Sequence, residues 1–366
     1  MKVAYVINSV ECGGAQMPIP DIVALLRARG GDVTVFGLAP KDALAVPLLE
    51  NAGVPVRVRS GTLKDHVAAY RWLSRELQAF QPDLIWTSLT RASLLGQLVA
   101  NRLNVPTVHW QHSARLKGAN AFLLRLCRKR TTLWIADSRT VENFARRTLG
   151  LKNNLLCWPI FRANPDTPLA SPWKQGQTVR IGTVGRLHAV KGYDFLCEAI
   201  RLLKDRPGLP PFRLLIAGDG PEQASLAQCI RNSDLPVELL GHYTAPLDFM
   251  KTLHLYVQPS HWEGLCVAAH EAMSCGLPIV ATPAGELAVT IEEGRTGKIV
   301  PFNNAPALAS AIGDLLQRPE KLAEMGRLSR ERVLERFGPK AFAEHGNAVL
   351  DRLPGFTPRR PASGAD

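Results

Sequence analysis

Short apolar runs alternate along this chain with longer segments of amphipathic pattern. In the first half these runs are "KVAYVIN" (2–8), "DVTVFGL" (32–38), "DLIWTSL" (83–89), "TVHWQH" (107–112) and "LWIADS" (133–138). After residue 178 the rhythm restarts with "VRIGTVGRL" (179–187), "FRLLIAGDG" (212–220), "VELLGH" (237–242), "LYVQPS" (255–260) and "PIVAT" (278–282). Runs of this length separated by helical patterns are typical of βαβ units with parallel sheets. The two series predict an α/β fold with two doubly wound domains.

The boundary between the two series is predicted in "FRANPDTPLASPWKQGQ" (161–177), which is rich in proline and polar residues. We therefore assign residues 1–165 to a first domain and 166–336 to a second. Residues 354–366 show no apolar pattern, and we expect a disordered tail there. Because ligands of open α/β sheets bind at the carboxyl ends of the strands, we expect the functional site in the cleft between the two domains.

The charge of the chain is unevenly distributed. The first 165 residues contain 22 Lys and Arg against 10 Asp and Glu, and the remaining residues contain 22 against 22. All of the formal net charge of +12 therefore lies in the first half. Such an excess favours an anionic partner, namely a membrane surface, a phosphorylated lipid or a nucleic acid. The alternative is a solvated basic face without a partner.

Glycines and cations at predicted strand ends suit a phosphate ligand. Gly13 and Gly14 follow the first strand and permit a close approach of the backbone, although many tight turns look alike. Arg186 and Lys191 lie between a strand and a helix, where a guanidinium fork and a mobile ammonium suit a diphosphate. A solvated basic loop is the alternative. Gly218 lies in a Gly-Asp-Gly turn, where it shapes the turn or contacts a ligand.

Two acids stand in the unusual stretch "HWEGLCVAAHEAMSCG" (261–276), which reads as a loop leading into a helix. If Gly264 and Leu265 lie at the helix start, their N–H groups point at a bound anion. Glu263 then sits in the loop beside the ligand. Glu271 is expected about two turns into the helix, where a carboxylate grips a vicinal diol such as that of ribose. The alternative is that Glu271 neutralises the helix start or pairs with a lysine.

These motifs resemble, in their order, those of the retaining glycosyltransferases of family 4. They are Gly-Gly after the first strand, "GRL" followed by "KG", "AGDGP", "PS" followed by "EG" and a second Glu, and "CGLPIVAT". The resemblance implies the GT-B fold, two Rossmann-like domains that face each other across a cleft. It also implies that residues 337–353 form a final helix crossing back to the first domain. The first domain would bind the acceptor and the second the nucleotide-sugar.

The resemblance implies a role for each residue of the second-domain motifs. Arg186 and Lys191 would neutralise the diphosphate leaving group, and Glu271 would hold the ribose hydroxyls. Glu263 would contact the donor sugar, helped by the amides of Gly264 and Leu265. A front-side displacement is implied, in which the leaving phosphate helps to take the acceptor proton. No cofactor and no metal are expected, because the cations and amides supply the positive field for a donor of the UDP or GDP type.

In the first domain the resemblance assigns His112 to the donor sugar. His109 is the less favoured candidate, a satisfied core histidine is the alternative, and a metal pair lacks a third ligand. Gly13 and Gly14 would close over the phosphates. The donor-binding set is completed by Gly185, Gly218 and Cys266. Cys266 and His270 depart from the family pattern, where glycine and an apolar residue are usual, as does the loop "PAGELAVTIEEG", and these departures bear on the identity of the donor sugar.

The basic stretch "ARLKGANAFLLRLCRKR" (114–130) favours a glycan or lipid-linked acceptor at an anionic membrane surface. We expect a role in cell-envelope polysaccharide or lipopolysaccharide biosynthesis, in a cytoplasmic protein peripheral to the inner face of the membrane. Seven cysteines without a C-x-x-C pair suit a reducing compartment. The alternatives are a non-hydrolysing sugar-nucleotide epimerase and a basic nucleic-acid-binding protein, although the aromatics are too few for base stacking.

Overall fold

The computed structural model describes residues 1–11, 13–243 and 245–356. Two compact units are present: unit 1 comprises Met1–Arg162 and the chain from Lys340 onward, and unit 2 comprises Ala163–Pro339. Each unit contains one parallel β-sheet with helices around it. The predicted α/β fold with two doubly wound sheets is therefore confirmed. None of the helices in the described parts of the chain combines the length and apolar character needed to cross a bilayer.

The units meet along the chain three residues earlier than predicted, after Arg162 instead of residue 165. The guanidinium of Arg162 pairs with Asp21 of unit 1 at 3.2 Å. The next backbone N–H, that of Ala163, donates to the carbonyl of Phe337 in unit 2 at 2.8 Å. Arg162 therefore bonds to unit 1 and Ala163 to unit 2, and this difference sets the boundary. The composition of the linker located the boundary only approximately.

Unit 1 is built on a seven-stranded sheet. Its strands are β1 (Lys2–Ile7), β2 (Asp32–Gly37), β3 (Val56–Val58), β4 (Leu84–Ser88), β5 (Thr107–Gln111), β6 (Leu133–Ala136) and β7 (Leu155–Cys157). Its first helices are α1 (Ile19–Ala28), α2 (Val46–Asn51), α3 (His66–Phe80), α4 (Thr90–Leu103), α5 (Gly118–Cys127) and α6 (Arg139–Phe144), the last continuing into a π-helical turn (Ala145–Leu149).

The strand order of unit 1 is β3-β2-β1-β4-β5-β6-β7, with every pair parallel. The order reverses between β1 and β4, which is the switch point where ligands bind in doubly wound sheets. Four tryptophans that are at most 1% exposed, Trp86, Trp110, Trp134 and Trp158, fill the core on these strands and beyond β7. The rings of Trp110 and Trp158 stack with centroids 4.8 Å apart.

The C-terminal helix belongs to unit 1 from its second residue, Lys340, onward. This helix, labelled α14 in chain order, spans Pro339–Leu350, which is shorter than the predicted 337–353. Its Phe342 packs on Trp158 at 5.2 Å between ring centroids, and Arg29 pairs with Asp351 at 2.8 Å just after it. The expectation of a disordered tail from residue 354 is wrong at its start, because Phe356 is only 8% exposed. The rest of that tail, 357–366, lies outside the described residues.

Unit 2 is built on a six-stranded sheet. Its strands are β8 (Val179–Val184), β9 (Phe212–Ala217), β10 (Val237–Gly241), β11 (Leu255–Gln258), β12 (Ile279–Ala281) and β13 (Gly297–Ile299). Its helices are α7 (Tyr193–Leu203), α8 (Gln223–Asn232), α9 (Pro246–Met250), α10 (Val267–Ser274), α11 (Leu287–Thr290), α12 (Ala305–Leu316) and α13 (Leu322–Phe337), with 3₁₀ turns at Ala189–Lys191 and Pro319–Lys321.

The strand order of unit 2 is β10-β9-β8-β11-β12-β13, again with every pair parallel. Helices α7 and α12 supply much of its core through residues such as Leu196, Ile200 and Ile312, all fully buried. The order reverses between β8 and β11. The loops that follow these two strands carry the basic motif and the first glutamate of the acidic stretch, so the topology brings them to one edge of the sheet.

Candidate functional site

The loop after β8 is held on both sides. On one side, the N–H of Leu187 donates to the carbonyl of Asp219 at 2.6 Å, which ties the loop to the end of β9. On the other side, the N–H of His261 donates to the carbonyl of Val190 at 2.9 Å, which ties it to the segment after β11. Lys191 directly follows the second of these hydrogen bonds and ends the 3₁₀ turn. The basic motif is therefore a clamped loop and not a freely solvated one.

Lys191 and Glu263 form an ion pair across the switch point of unit 2. The Nζ of Lys191 lies 2.7 Å from Oε1 of Glu263, and the two side chains are only 20% and 11% exposed. Burial lowers the pKa of Lys191, but the Glu263 carboxylate raises it, and the net pKa lies above the ordinary value. Lys191 is thus a fixed cation. Arg186 precedes it in the same loop and is exposed, without an ion-pair partner in the described parts of the chain.

A chain of hydrogen bonds from β11 fixes the carboxylate of Glu263. Gln258 Nε2 donates to Ser260 Oγ at 2.8 Å, and Ser260 Oγ donates to Oε1 of Glu263 at 2.7 Å. The other end of Gln258 accepts from the hydroxyl of Tyr256 at 3.1 Å. The bonds from Lys191 and Ser260 both end on Oε1. Glu263 is therefore pre-oriented by its neighbours, which is what a group that recognises a ligand requires.

Helix α10 starts later in the chain than the sequence analysis assumed, which placed Gly264 and Leu265 at its start. Helix α10 begins only at Val267, with Cys266 as its N-cap in the left-handed conformation at φ 70°. Gly264 and Leu265 form the turn that precedes it. A left-handed backbone favours glycine, which gives a physical reason for the family's glycine where this chain has Cys266. The expectation was wrong because periodicity cannot locate a left-handed cap.

His270 braces this turn from behind. The His270 ring is fully buried, and its Nδ1 lies 2.9 Å from the carbonyl of Cys266. Its Nε2 lies 3.1 Å from Thr290 Oγ1, and burial lowers the pKa of His270 to about 4. Two departures from the family pattern, Cys266 and His270, therefore contact each other. Because both side chains are buried, what they determine is the position of the turn.

Glu271 has a carboxyl group in an apolar setting. It is the fifth residue of α10, closer to the helix start than the two turns expected. Its carboxyl group makes no hydrogen bond or ion pair with the described residues, whereas Glu263 is the acid that pairs with a lysine. Burial raises the pKa of Glu271 to about 7. A partly buried carboxylate that lacks a partner costs stability, which is typical of groups retained for a ligand.

We expect Glu271→Gln to stabilise the unliganded protein in a pH-dependent way. Between the ordinary pKa of 4.5 and the raised value of about 7, the folded wild type holds a proton that the unfolded chain releases. Wild-type stability therefore falls as the pH rises through this window. The variant, which lacks this titration, should gain at most about 3 kcal/mol above the window and nothing below it.

Thermal unfolding at pH 4 and pH 8 measures this difference. Glu320→Gln, at an exposed position of unit 2, is the matched control and should follow the wild type at both pH values. Equal shifts for Glu271→Gln at both pH values would show that the carboxyl is not destabilised by its setting.

Two glycines allow close packing of the loops around this site. A Cβ at Gly218 would lie 2.0 Å from the carbonyl oxygen of Gly185, and Gly218 has a φ of 148°. A Cβ at Gly285, whose φ is 62°, would lie 2.3 Å from the carbonyl oxygen of Gly264. Gly185 and Gly218 are thus in mutual contact at the ends of β8 and β9. Packing of the turns accounts for these two residues, and their donor-binding role stays a prediction.

The glycine pair of unit 1 lies after β1 but not at a helix start. Gly13 and Gly14 belong to a turn, and four residues separate them from the first residue of α1. The N–H groups of Gln16 and Met17 both donate to the carbonyl of Gly13 at 3.0 Å. The side chain of Gln16 donates to the carbonyl of Ser9 at 3.1 Å and closes the turn. Cys12, which precedes the pair, lies outside the described residues.

His112 is held at the carboxyl ends of three neighbouring strands of unit 1. Its Nε2 lies 2.7 Å from Oγ of Ser88, the last residue of β4, and its Nδ1 lies 3.2 Å from Oδ2 of Asp137, which follows β6. The imidazole stacks on Trp110 with ring centroids 5.8 Å apart. Burial raises the pKa of Asp137, and the hydrogen bond from His112 acts against that rise. The ring is fixed and remains 10% exposed.

His112 lies between Ser88 and Asp137 and bonds to both, as the histidine of a serine-hydrolase triad bonds to its serine and its aspartate. The Ser88 side chain is fully buried, so a substrate carbonyl has no access to its hydroxyl. The arrangement therefore orients the imidazole and does not supply a nucleophile. His109 is a satisfied core histidine: its ring is fully buried, its Nε2 lies 3.1 Å from Gln97 Oε1, and burial lowers its pKa to about 3.

Metal ligation by the H-x-x-H pair finds no support in this geometry. His109 and His112 bond to different sets of side chains. Within the described ranges, no group of three or more His, Cys, Asp or Glu side chains is placed to hold a metal ion.

Sequence reasoning missed several residues of these two sites. They are Ser88 and Asp137 in unit 1 and Gln258, Ser260 and Gly285 in unit 2. A usable signal was present for most of them, because a polar residue ends or follows the apolar run in "IWTS", "WIAD" and "YVQPS". The signal for Gly285 was only the short "PAGE" sequence, which appeared as a departure from the family pattern.

Both units match sequence models of glycosyltransferases. Residues 12–159 match the model described as Glycosyltransferase Family 4, and residues 178–318 match the model described as Glycosyl transferases group 1. The D-inositol 3-phosphate glycosyltransferase of Gordonia bronchialis is 33% identical over 87% of this chain and 80% of its own length. The D-inositol 3-phosphate glycosyltransferase 2 of Catenulispora acidiphila is 31% identical over 93% and 90%. The class defined by the fold and by these matches is that of the glycosyltransferases.

The chain belongs to the group 1 glycosyltransferases of family 4. The fold agrees with solved GT-B structures of low sequence identity. HepE of Anabaena, crystallised with UDP-glucose, superposes with a TM-score of 0.84 at 22% identity, over 96% of this chain and all of its own. The lipopolysaccharide outer core galactosyltransferase WaaB superposes with a TM-score of 0.77 at 15% identity, over 96% of this chain and all of its own.

Proposed function

We propose that this glycosyltransferase uses a nucleoside diphosphate sugar of the UDP or GDP type and retains the anomeric configuration. The observation that carries the proposal is the arrangement at the switch point of unit 2. There Lys191 is fixed by Glu263, and Arg186 in the same loop is left without an ion pair in the described chain. A cationic loop at this position suits a diphosphate. The crystallised complexes of HepE with UDP and UDP-glucose support the donor class.

In this proposal the cations stabilise the leaving group. The bond between the anomeric carbon and the diphosphate oxygen breaks, and a bond to the acceptor hydroxyl forms on the same face of the sugar. The acceptor proton passes to the departing phosphate oxygen. Arg186 and Lys191 neutralise the charge that develops on the diphosphate. The reaction needs neither a cofactor nor a bound metal for this purpose.

The two glutamates then recognise hydroxyl groups of the donor. Glu263, held through Oε1, accepts from the donor sugar with its other oxygen. Glu271 accepts from the ribose diol, which supplies the partners that the carboxylate lacks among the described residues. In unit 1 we assign His112 to the donor sugar, on the strength of the family resemblance. On the same resemblance, we assign to the turn at Gly13 and Gly14 the role of donating backbone N–H groups to the phosphates.

The acceptor that we propose is a glycan or a lipid-linked saccharide of cell-envelope polysaccharide or lipopolysaccharide biosynthesis. The relatives act, by their names, on D-inositol 3-phosphate or on the lipopolysaccharide outer core, so phosphorylated and lipid-linked acceptors both occur among proteins similar to this one. The excess of cations in the first 165 residues suits such an anionic acceptor. We place the protein in the cytoplasm, peripheral to the inner face of the membrane.

The proposal is tested by following donor hydrolysis with proton NMR in the presence of EDTA. The protein is incubated with α-linked UDP-sugars and GDP-sugars, without an acceptor and with lipid extracts of cell envelopes. We expect one donor to be consumed, with the released or transferred sugar in the α configuration at early times. A β product would contradict retention. Loss of turnover in EDTA that is restored by a divalent cation would contradict metal independence.

A further inference from the structure

Helix α5 exposes large apolar side chains to solvent. Phe122, Leu123 and Leu126 are 61%, 43% and 62% exposed, whereas Leu124 between them is fully buried. Positions 122 and 126 are four residues apart and positions 123 and 126 are three apart, so these side chains are neighbours on one helix surface. Leu124 anchors the helix on the unit, and the other three form an apolar patch. We call Phe122, Leu123 and Leu126 the α5 patch.

Six cations flank the α5 patch in sequence. They are Arg115, Lys117, Arg125, Arg128, Lys129 and Arg130. None of the six takes part in an ion pair with another part of the described chain, and all except the half-buried Arg128 are exposed. No Asp or Glu occurs anywhere in the sequence between Asp83 and Asp137. The charge around the patch is therefore positive and uncompensated.

We propose that the α5 patch and its six flanking cations dock this protein on an anionic lipid surface. Apolar side chains at the centre of a cationic helix enter the region between headgroups and acyl chains, while the cations bind the headgroup phosphates. The combination of an apolar patch with surrounding cations distinguishes a membrane from other anionic partners. Phe122 is the only aromatic residue among residues 114–130, so the surface offers no stacking platform for single-stranded nucleic acid.

The position of α5 would bring a membrane-bound acceptor close to His112, an argument that rests on the proposed function. The helix begins six residues after His112 and follows β5 at the carboxyl edge of the unit 1 sheet. A lipid-linked acceptor would then be presented to the edge of the sheet that carries His112. The lipid surface itself is a partner whatever the transferred sugar is, and its binding can be measured without any donor.

The proposal is tested by flotation of the full chain with lipid vesicles at physiological ionic strength. One set of vesicles is pure phosphatidylcholine and the other an equimolar mixture with phosphatidylglycerol. We expect flotation with the anionic vesicles alone. Phe122→Ser/Leu126→Ser should weaken it about tenfold or more, and each of Arg125→Gln and Lys129→Gln should weaken it roughly fivefold.

Helix α3 of the same unit supplies matched controls. Val67 is 65% exposed there, and Arg71 and Arg75 are exposed cations without an ion pair in the described chain. Val67→Ser and Arg71→Gln/Arg75→Gln should float like the wild type. Absence of flotation, or equal losses for the α3 and α5 variants, would overturn the proposal, because binding would then follow net charge alone. Equal α5-dependent binding to a single-stranded RNA would overturn it in favour of a nucleic acid.

The two experiments distinguish a failure of the proposed function from a failure of the lipid-docking proposal. If the α5 variants lose flotation but no donor is ever consumed, the docking surface stands and the proposed transferase chemistry is wrong. If donor hydrolysis is retained by a protein that never floats, the docking surface is wrong and the transferase chemistry stands.

Discussion

Replacement of Lys191 by methionine is expected to lower kcat by about 100-fold or more, the loss seen when one charge-stabilising donor is removed from an active site. Methionine keeps an unbranched chain in place of the lysine stem and removes the ammonium. The ion pair to Glu263 is mostly buried, so the variant also leaves a carboxylate without its cation. The double variant Lys191→Met/Glu263→Gln removes both charges and should recover thermal stability without recovering turnover. Initial rates of donor hydrolysis and thermal midpoints measure the two effects.

Lys298→Met is the matched control for this experiment. Lys298 also belongs to unit 2, is 24% exposed, close to the 20% of Lys191, and pairs with Asp314 at 2.6 Å. Its loss should leave turnover unchanged. If Lys191→Met retained wild-type turnover, or if the double variant recovered it, then the pair would be a structural element only and the assignment of the cation to the leaving group would be wrong.

Replacement of Glu271 by glutamine is expected to weaken nucleoside diphosphate binding by about 10- to 100-fold, because hydrogen bonds to a charged group contribute about 1.5–3 kcal/mol. The loss should depend on the ribose. Wild-type protein should prefer the ribonucleotide to its 2′-deoxy analogue, and the variant should bind the two with nearly equal affinity. Isothermal titration calorimetry of both proteins with both ligands forms a cycle that isolates this contact.

The cycle separates a contact to ribose from a general disturbance of α10. A variant that lost affinity for both nucleotides but kept the wild-type preference between them would show that Glu271 acts through the fold. Ser274→Ala is a suitable control on the same helix, because Ser274 is buried and its hydroxyl bonds to the carbonyl of His270 at 3.0 Å. It should keep the ribose preference.

The sequence was sufficient to predict the fold class because the apolar runs are long and regular. Several buried parallel strands read as unbroken apolar stretches, as in "VAYVI" or "LWIA", and the loops between them hold the breaks. The boundaries between the two units were harder to predict from the sequence. The ends of the units near Arg162 and Pro339 depend on which neighbour a single backbone N–H or side chain bonds to. Composition does not encode such a choice.

The candidate site was only partly predictable, since its geometry depends on contacts distant in sequence. Lys191 and Glu263 were both singled out, but their ion pair joins residues 72 positions apart. A lysine was considered as the partner of Glu271, but the acid that pairs with a lysine is Glu263. In unit 1, Ser88 and Asp137 meet His112 only because β4, β5 and β6 are neighbours in the sheet. Strand order is a tertiary property, and no local pattern states it.

The left-handed turn at Cys266 marks a further limit of sequence reasoning. A cysteine at φ 70° is uncommon, and no sequence pattern indicated that helix α10 starts after it, at Val267 and not at Gly264 or Leu265. The buried contact from His270 to the Cys266 carbonyl stabilises that conformation. Each residue alone looked like a departure from the family. Together they form one structural unit, which only the three-dimensional contact reveals.

The central claim is that the loop after β8 binds the diphosphate of the donor, and calorimetric titration with UDP and GDP tests it most directly. One of the two nucleotides should bind the wild type, and Arg186→Ala should weaken that binding about tenfold or more. Arg213→Ala, which removes an exposed arginine of β9 paired with Glu238, should bind like the wild type. Binding that is unchanged in Arg186→Ala, or absent for both nucleotides, would contradict the claim.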